Sequence, residues 1–267
     1  MKPLISLSEW MKWYRTIIDT MGFDPEKDKY ATVILASILK DNPPSLNYVE
    51  ALVKNKNVVI FGAGPSLPQH IEELLEKRVL TIKHVVLVAA DGASRALLEH
   101  GITPHIIVSD LDGGDDVLID AASKGAYVFA HGHGDNIDKI ESIVPEMKRI
   151  TRRVIGTTQV EPIYPVLNFG GFTDGDRAVF ITASMSPRMI VLAGMDLGNI
   201  VGKYSKPWLR DNVPANTMKK KKLEIAYNLL SYASSRYPRI YSLSRNTPVG
   251  IKHVGSSELV KLIRTSQ

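Results

Sequence analysis

The sequence predicts an α/β protein: a Rossmann-like parallel sheet with helices on both faces, an N-terminal helical appendage and a C-terminal helical tail. Three observations carry that expectation. From Asn57 onward, short runs of β-forming residues alternate with amphipathic stretches, the pattern of β-α-β units joined by right-handed crossovers. Three of these runs end in clusters of glycine with carboxylate or imidazole: Ala90-Asp91-Gly92-Ala93-Ser94, Ser109-Asp110-Leu111-Asp112-Gly113-Gly114 and His131-Gly132-His133-Gly134-Asp135-Asn136. Before Asn57, apolar residues recur at helical spacing instead.

Ser6 and Glu9 form a capping box ahead of Leu7, Trp10, Tyr14, Ile17, Ile18 and Met21, which gives a first amphipathic helix. Asp24-Pro25 opens a second, with Tyr30, Val33, Ile34 and Ile38 as its apolar face, and Asn42-Pro43-Pro44 stops it. A short third helix spans Ser45 to Val53. These elements make an N-terminal segment, 1–54, with no convergent polar set, expected to serve packing or a homodimer contact. The catalytic domain is placed at 55–200, with strands at Val58 to Phe61, Val85 to Ala90, Ile106 to Ser109, Tyr127 to Ala130, Val154 to Gly156 and Ile190 to Ala193. A loop-rich insertion interrupts it from Thr157 to Thr173. The remainder, 201–267, is expected to pack on that domain. Asn199 to Asn216 reads as a long loop, Thr217 to Ser235 as a helix, Arg239 to Leu243 as one more strand and Ser256 to Ile263 as a last helix.

Composition narrows the chemistry. In 267 residues, 44% are hydrophobic, enough for a sizeable core. A balance of 33 basic against 28 acidic residues leaves +5, which favours an anionic ligand, a nucleotide or a nucleic acid. The absence of cysteine removes disulfides, thiolate catalysis and structural zinc, and fits a reducing cytoplasmic setting. Met1 to Phe23 is interrupted by Glu9, Lys12 and Arg15, so it is not read as a signal peptide, and no apolar run approaches a membrane span.

The strand-end clusters point to a metal-phosphate site. Asp91, Asp110 and Asp112 are short carboxylates beside glycines; gathered at one sheet edge they repel one another unless a cation neutralises them, and magnesium suits carboxylates that share it with substrate phosphates. Any one Asp-Gly pair alone would read as a turn. Gly62-Ala63-Gly64-Pro65-Ser66 joins the first strand to a helix whose free N–H groups favour a phosphate, with Ser66 and Gln69 as a capping pair; the plainer reading is a β-α turn. His131, His133, Asp135 and Asn136 are expected to contact substrate phosphate or metal-bound water, with zinc or manganese ligation and a simple helix cap as the alternatives. Thr173 and Asp176 can cap the next helix while Asp174 and Arg177 stay available to the nucleotide; Asn168, Phe169 and Phe172 would present an amide and aromatic faces to a heterocycle, with Gly170 beside them in the substrate site. Asp196 ends a further strand and can complete the site. Lys203, Tyr204, Lys206 and Trp208 could close as a lid, whereas Lys219 to Lys222 reads mainly as a solvated face.

The ordered set from Gly62-Ala63-Gly64-Pro65-Ser66-Leu67 through Asp91, Asp110, Asp112 and the 131–136 cluster to Thr157-Thr158-Gln159, Asn168 to Arg177 and Gly194-Met195-Asp196-Leu197-Gly198 resembles the archaeal 6-hydroxymethyl-7,8-dihydropterin pyrophosphokinase family. More distantly, it is similar to thiamine pyrophosphokinase. Ser109 departs from the thiamine motif's glycine, and no run of short strands follows Gly198 to build that family's β-sandwich, so the pterin alcohol is preferred. The resemblance implies an enzyme converting ATP and the hydroxymethyl-dihydropterin to AMP and the pterin diphosphate, on the route to methanopterin or folate-type carriers. Magnesium would be held by Asp110 and Asp112 with help from Asp91. ATP and a small pterin would be its partners, without nucleic acid or membrane. The base is left open among His131, His133 and Asp135. The rival readings are thiamine pyrophosphokinase and a glycosyltransferase-like protein that binds a nucleotide sugar.

Overall fold

The computed structural model describes residues 1–265. Its first helix, α1 (Leu7–Met21), carries the expected capping box: Glu9 N–H donates to Ser6 Oγ at 3.2 Å. Gly22 at φ 71 ends it. In α2 (Pro25–Leu39), Asp24 accepts the Glu26 N–H at 3.0 Å. The buried face of α2 is only partly the expected one: Ile34 and Ile38 pack on the core, but its centre is rotated away from Tyr30 and Val33. Ala31, Thr32, Leu35, Ala36 and Leu39 turn inward, while Tyr30 and Val33 are 59% and 50% exposed. Close approach goes with this face: Leu35 and Leu39 fill the space left by the missing side chain of Gly156. A third helix, α3 (Leu46–Val53), leads into the sheet.

The alternation then runs β1 (Asn57–Phe61), α4 (Leu67–Glu76), β2 (Val85–Ala90), α5 (Ala93–Glu99), β3 (Ile106–Ser109), α6 (Asp115–Ser123), β4 (Tyr127–Gly132), α7 (Ile137–Ile150), β5 (Val154–Thr158), α8 (Asp174–Ala183) and β6 (Met189–Ala193). Within the predicted long loop, β7 (Ile200–Val201) and β8 (Val213–Pro214) pair antiparallel. The chain ends with α9 (Thr217–Arg236), β9 (Ile240–Ser242), β10 (Lys252–His253) and α10 (Ser256–Thr265). The main sheet has the order β10-β9-β6-β1-β2-β3-β4-β5, parallel throughout. Only β10 among these strands lacked a sequence expectation.

Side chains alternate across the strands, as a parallel sheet covered on both faces requires. Val59, Phe61, Leu87, Ala89, Ile107 and Val128 meet α2, α4, α5, α6, α7 and α10 on one face. Val58, Ile60, Val86, Val88, Val108 and Phe129 meet α1, α3, α8 and α9 on the other. The chain steps from β1 out to β5 and then returns to β6 on the far side of β1. That reversal makes a switch-point crevice at the carboxyl ends of β1 and β6. Among the described residues no helix is long and apolar enough to cross a membrane.

Candidate active site

A cavity of about 380 Å³ lies along the carboxyl edge of the sheet, lined by residues following β1 to β6 together with α2, α8, α9 and the 199–216 loop. At its centre Asp91, Asp110 and Asp112 converge, with one carboxylate oxygen of each within 4.8 Å of the others. The backbone works to bring them there. Asp91 and Leu111 both adopt left-handed φ, 43 and 70, which turns the chain sharply at the ends of β2 and β3. Ser109 ties the two turns together: its hydroxyl donates to Asp91 Oδ1 at 2.6 Å and accepts the Leu111 N–H at 2.8 Å. Gly113 lies against the Asp91 carboxylate with no room for a β-carbon.

The electrostatics are unbalanced. Burial, and after it the charges of Asp110, Asp174 and Asp112, push the Asp91 carboxyl well above the usual range. Burial pushes Asp110 in the same direction, but His133 and Lys206 outweigh it and hold Asp110 below the usual range. Asp174, at the start of α8, is pushed up to about 8 by burial and the neighbouring Asp110. Asp110 Oδ1 and Asp112 Oδ1 are buried without a hydrogen-bond partner among the described residues. A hard divalent cation with oxygen ligands fits this set, since it would satisfy both orphaned oxygens and relieve the repulsion.

Cations face the acids from the other side. Lys206 makes an ion pair with Asp112, and Lys219 and Lys222 line the cavity from α9. Burial, with Lys206 and Lys222 nearby, lowers the ammonium pKa of Lys219. The lysine run is therefore not a uniform solvated face: Lys220 and Lys221 are exposed, but the i, i+3 pair Lys219 and Lys222 turns inward. The 199–216 loop lies closed over the site. Gly202 sits on Ala63 and Gly64, Tyr204 on Gly92, and Arg95 donates to the Pro207 carbonyl at 3.3 Å. Lys206 is the loop's cation in the cavity. Lys203 is exposed over the Tyr204 ring and outside the lining.

The imidazoles have different partners. The Asp135 N–H donates to His133 Nδ1 at 3.2 Å, so the ring proton sits on Nε2, 3.5 Å from Asp110 Oδ2. His131 is buried, its Nδ1 is 3.2 Å from Thr157 Oγ1 and its Nε2 has no partner. Burial and the Arg177 charge keep it neutral, well below the ordinary histidine pKa. The Asp135 side chain lines the outer cavity. Asn136 does not: it braces the site from behind, accepting the His133 N–H at 3.0 Å and donating to the carbonyls of Asp110 and His131 at 2.6 and 2.7 Å.

Other expected site residues divide in the same way. Gly62 and Gly64 line the cavity, yet their N–H groups donate to Ala193 and Gly194 carbonyls at 2.9 and 2.8 Å. Pro65 and Ser66 close the turn behind them. The Ser66 N–H and hydroxyl donate to Asp196 Oδ2 at 2.8 and 2.6 Å, and Ser244 donates to Asp196 Oδ1 at 2.8 Å. The Ser66-Gln69 capping pair does not form, because Asp196 takes Ser66 while Gln69 pairs with Glu73. At α8 the Thr173-Asp176 box does form, and it consumes both Asp176 oxygens: Thr173 N–H donates at 2.9 Å and Phe172 N–H at 2.5 Å. Thr173, Asp174 and Arg177 line the cavity. The Arg177 guanidinium is anchored by Asp174 at 3.3 Å and the Phe172 carbonyl at 2.8 Å.

Asn168, Phe169 and Gly170 are not brought to the cavity. Phe169 is buried against Phe129, Gly170 packs on Ile5, Trp10 and Phe180, and Asn168 closes the turn between them. Of the two expected aromatic faces it is Phe172 that reaches the cavity wall, beside Phe23. The helical appendage also contributes where none of it was expected to: Gly22, Phe23, Asp24, Lys27 and Asp28 all line the cavity. Asp28 is 3% exposed and accepts from Tyr14 Oη and Gln159 Nε2, both at 2.7 Å, and from Gly134 N–H at 2.8 Å.

A protein-family model described as 6-hydroxymethylpterin diphosphokinase MptE-like matches residues 34–202. A Pyrococcus furiosus protein named 6-hydroxymethyl-7,8-dihydropterin pyrophosphokinase is 45% identical over 229 residues, 84% of this chain and 92% of that protein. A Methanocaldococcus jannaschii protein of the same name is 40% identical over 240 residues, 87% of this chain and 97% of that one. Among solved structures, the MAf glycosyltransferase of Magnetospirillum magneticum AMB-1 superposes with a TM-score of 0.51 at 18% identity, covering 80% of this chain and 38% of the glycosyltransferase. That likeness concerns the fold. By sequence and by the strand-end motifs that build its acidic centre, the chain belongs to the 6-hydroxymethylpterin diphosphokinase MptE-like family.

Proposed function

We propose that this enzyme transfers the terminal diphosphate of ATP to the hydroxymethyl oxygen of 6-hydroxymethyl-7,8-dihydropterin, giving AMP and the pterin diphosphate. The observation that carries the proposal is the acidic centre: three carboxylates within 4.8 Å, two of their buried oxygens unpartnered, with lysines opposite. A site so built suits a polyphosphate brought in with magnesium, and the names of the 40–45% identical relatives support the pterin alcohol as acceptor.

Asp91, Asp110 and Asp112 would hold the magnesium, which when bound neutralises phosphate charge and orients the β-phosphate. Lys206 and Lys219 supply positive charge from the facing wall, and the loop between β7 and β8, packed on the turns after β1 and β2, covers that side of the site. In the transfer, the alcohol oxygen bonds to the β-phosphorus, the bond from that phosphorus to the α-β bridging oxygen breaks, and AMP leaves with that oxygen. The hydroxyl proton goes to a base. His131 Nε2 is neutral, unpartnered and in the cavity wall, and so is able to accept it. His133 is spent as a donor to Asp110.

AMP formation from ATP and magnesium, compared with 6-hydroxymethyl-7,8-dihydropterin, with thiamine and with no acceptor, tests the reading. AMP made only with the pterin, in equal amount to pterin diphosphate, is the expected result. AMP made with thiamine instead, or with neither alcohol, refutes it.

A further inference from the structure

The row of strand ends runs β6, β1, β2, β3, β4, β5, and neighbouring strands stand about 4.8 Å apart. The acidic centre, at β2 and β3, therefore divides the cavity into a flank over β6 and β1 and a flank over β4 and β5. Diphosphate transfer displaces AMP from the β-phosphorus with attacking and leaving oxygens roughly in line. The acceptor and the nucleoside must then occupy opposite flanks. The two flanks differ chemically. Over β6 and β1 the wall is Gly62, Ala63, Gly64 and Gly194, and its one carboxylate, Asp196, is spent on Ser66 and Ser244. Over β4 and β5 the wall holds Asp28, Gln159 and Phe172.

We propose that the β4/β5 flank reads the acceptor heterocycle, with Asp28 Oδ1 accepting an amino or N–H donor of its ring. This rests on the diphosphate-transfer reading above and says where its acceptor sits. Asp28 Oδ2 already takes Tyr14 and Gln159, but Oδ1 takes only the Gly134 N–H, and a carboxylate oxygen accommodates two donors. Gln159 gives its amide nitrogen to Asp28, which leaves its carbonyl oxygen on the far side of that bond and Asp28 Oδ1 free of it. A carboxylate acceptor matches the amino group or the adjacent N–H of an aminopyrimidinone edge. The ring-nitrogen acceptors beside the amino group of adenine find no donor in it. A charged carboxylate near AMP would also repel its phosphate, whereas the pterin is neutral. Phe172 supplies a flat face nearby.

The test titrates the protein with 6-hydroxymethylpterin and with 6-hydroxymethyl-lumazine, in which an oxo group replaces the ring amino group and turns a donor into an acceptor. Pterin fluorescence reports binding, and calorimetry with α,β-methylene-ATP gives nucleotide affinity in parallel. The wild-type protein should prefer the pterin by about tenfold or more, the loss expected when a buried charged acceptor faces no donor. Asp28→Asn should collapse that preference to within about twofold while leaving nucleotide affinity unchanged, which also shows that the variant is folded. Gln159→Met keeps the carboxylate with its Tyr14 and Gly134 donors, and should reduce the preference by about threefold. A preference unmoved by both variants, or nucleotide affinity lost with the preference intact, overturns the assignment. A wild-type protein that binds neither ring overturns the diphosphate-transfer reading itself.

Discussion

Asp91 is the carboxylate with the least support, and replacing it should separate stability from function. Its one hydrogen-bond donor among the side chains is the neutral Ser109 hydroxyl, and two carboxylates stand within 4.8 Å. At an effective dielectric of about 20, each such neighbour costs about 3.5 kcal/mol at 4.8 Å. The penalty has a ceiling, because Asp91 can take up a proton instead: for an aspartate that ordinarily titrates at 3.8, that costs about 4.4 kcal/mol at neutral pH. Asp91→Asn removes the charge, still accepts the Ser109 proton and turns an amide N–H toward its neighbours. Asn also tolerates the left-handed φ of 43. The variant without metal should gain about 2–4 kcal/mol, or about 4–8 °C in Tm for a chain of this size. Calorimetry in EDTA and in millimolar magnesium measures it, with AMP formation alongside. Magnesium should raise the wild-type Tm more than that of the variant, and turnover of the variant should fall by at least about a hundredfold. A lower Tm for Asp91→Asn in EDTA, or turnover near wild type, would refute the view of Asp91 as a charge held for a cation.

Three further outcomes follow from the same geometry. Lys206→Met removes the loop's cation while Gly202 and Tyr204 still pack on the β1 and β2 ends, so KM for ATP should rise about tenfold with Tm changed by no more than about 2 °C; steady-state kinetics and a thermal melt together check this. Because burial and Asp110 raise Asp174 to about 8, the folded state holds its proton more tightly than the unfolded chain does. Stability from that proton is complete below the ordinary carboxylate range and is lost as pH rises toward about 8, so the Tm of the metal-free protein should fall across that window, and a Tm rising through it would count against the buried acidic centre. Gly134→Ala would place a β-carbon 2.6 Å from Lys27 Cβ, forcing α2 off the 131–136 loop and breaking the Gly134 to Asp28 bond; a loss of about 1–3 kcal/mol in urea unfolding, with slower turnover, is expected.

The sheet was legible because each buried parallel strand is written as a local run of β-branched residues, and the acidic centre because Asp91, Asp110 and Asp112 directly follow such runs. What was less legible depends on contacts made over long separations. Asp28 lies 131 residues from Gln159 and 106 from Gly134, so nothing near it in the chain marks a site. One local signal did exist: Asp28 and Thr32 stand one turn apart on the stripe that contains Ala31, Leu35 and Ala36, and polar residues on a small-residue face mark a helix packed closely against other polar groups. A face centred on Tyr30, Val33, Ile34 and Ile38 lies partly round the helix from that stripe, and only its Ile34 and Ile38 reach the core. Lys219 and Lys222 were obscured in the same way, since the cavity selects two of four consecutive lysines and only the position of α9 decides which. Asn168, Phe169 and Gly170 have a ligand-like composition, but the turn they form is needed to seat Phe169 against Phe129.

The use of Asp196 bears on how the whole site is arranged. A Rossmann-like sheet offers an anion a ready seat where the first strand meets its helix, at the switch point, and Gly62 to Ser66 has the glycines for it. Here the chain supplies the anion itself. Asp196 receives the Ser66 N–H and hydroxyl, and Gly64 lies so close that a β-carbon would fall 2.5 Å from Asp196 Oδ2. Glycine at 64 is thus required by an internal carboxylate, whatever it does for a ligand. With that seat filled, β1 and β6 are clamped across the crevice, and the strongest unmet electrostatic demand moves to the ends of β2 and β3, where it is negative. A phosphate would be stabilised there through a cation, so the arrangement suits the proposed metal-assisted transfer of a polyphosphate better than a helix-dipole site for a bound cofactor. The glycine-rich β-α turn is thus already occupied, because one carboxylate following β6 reaches it first.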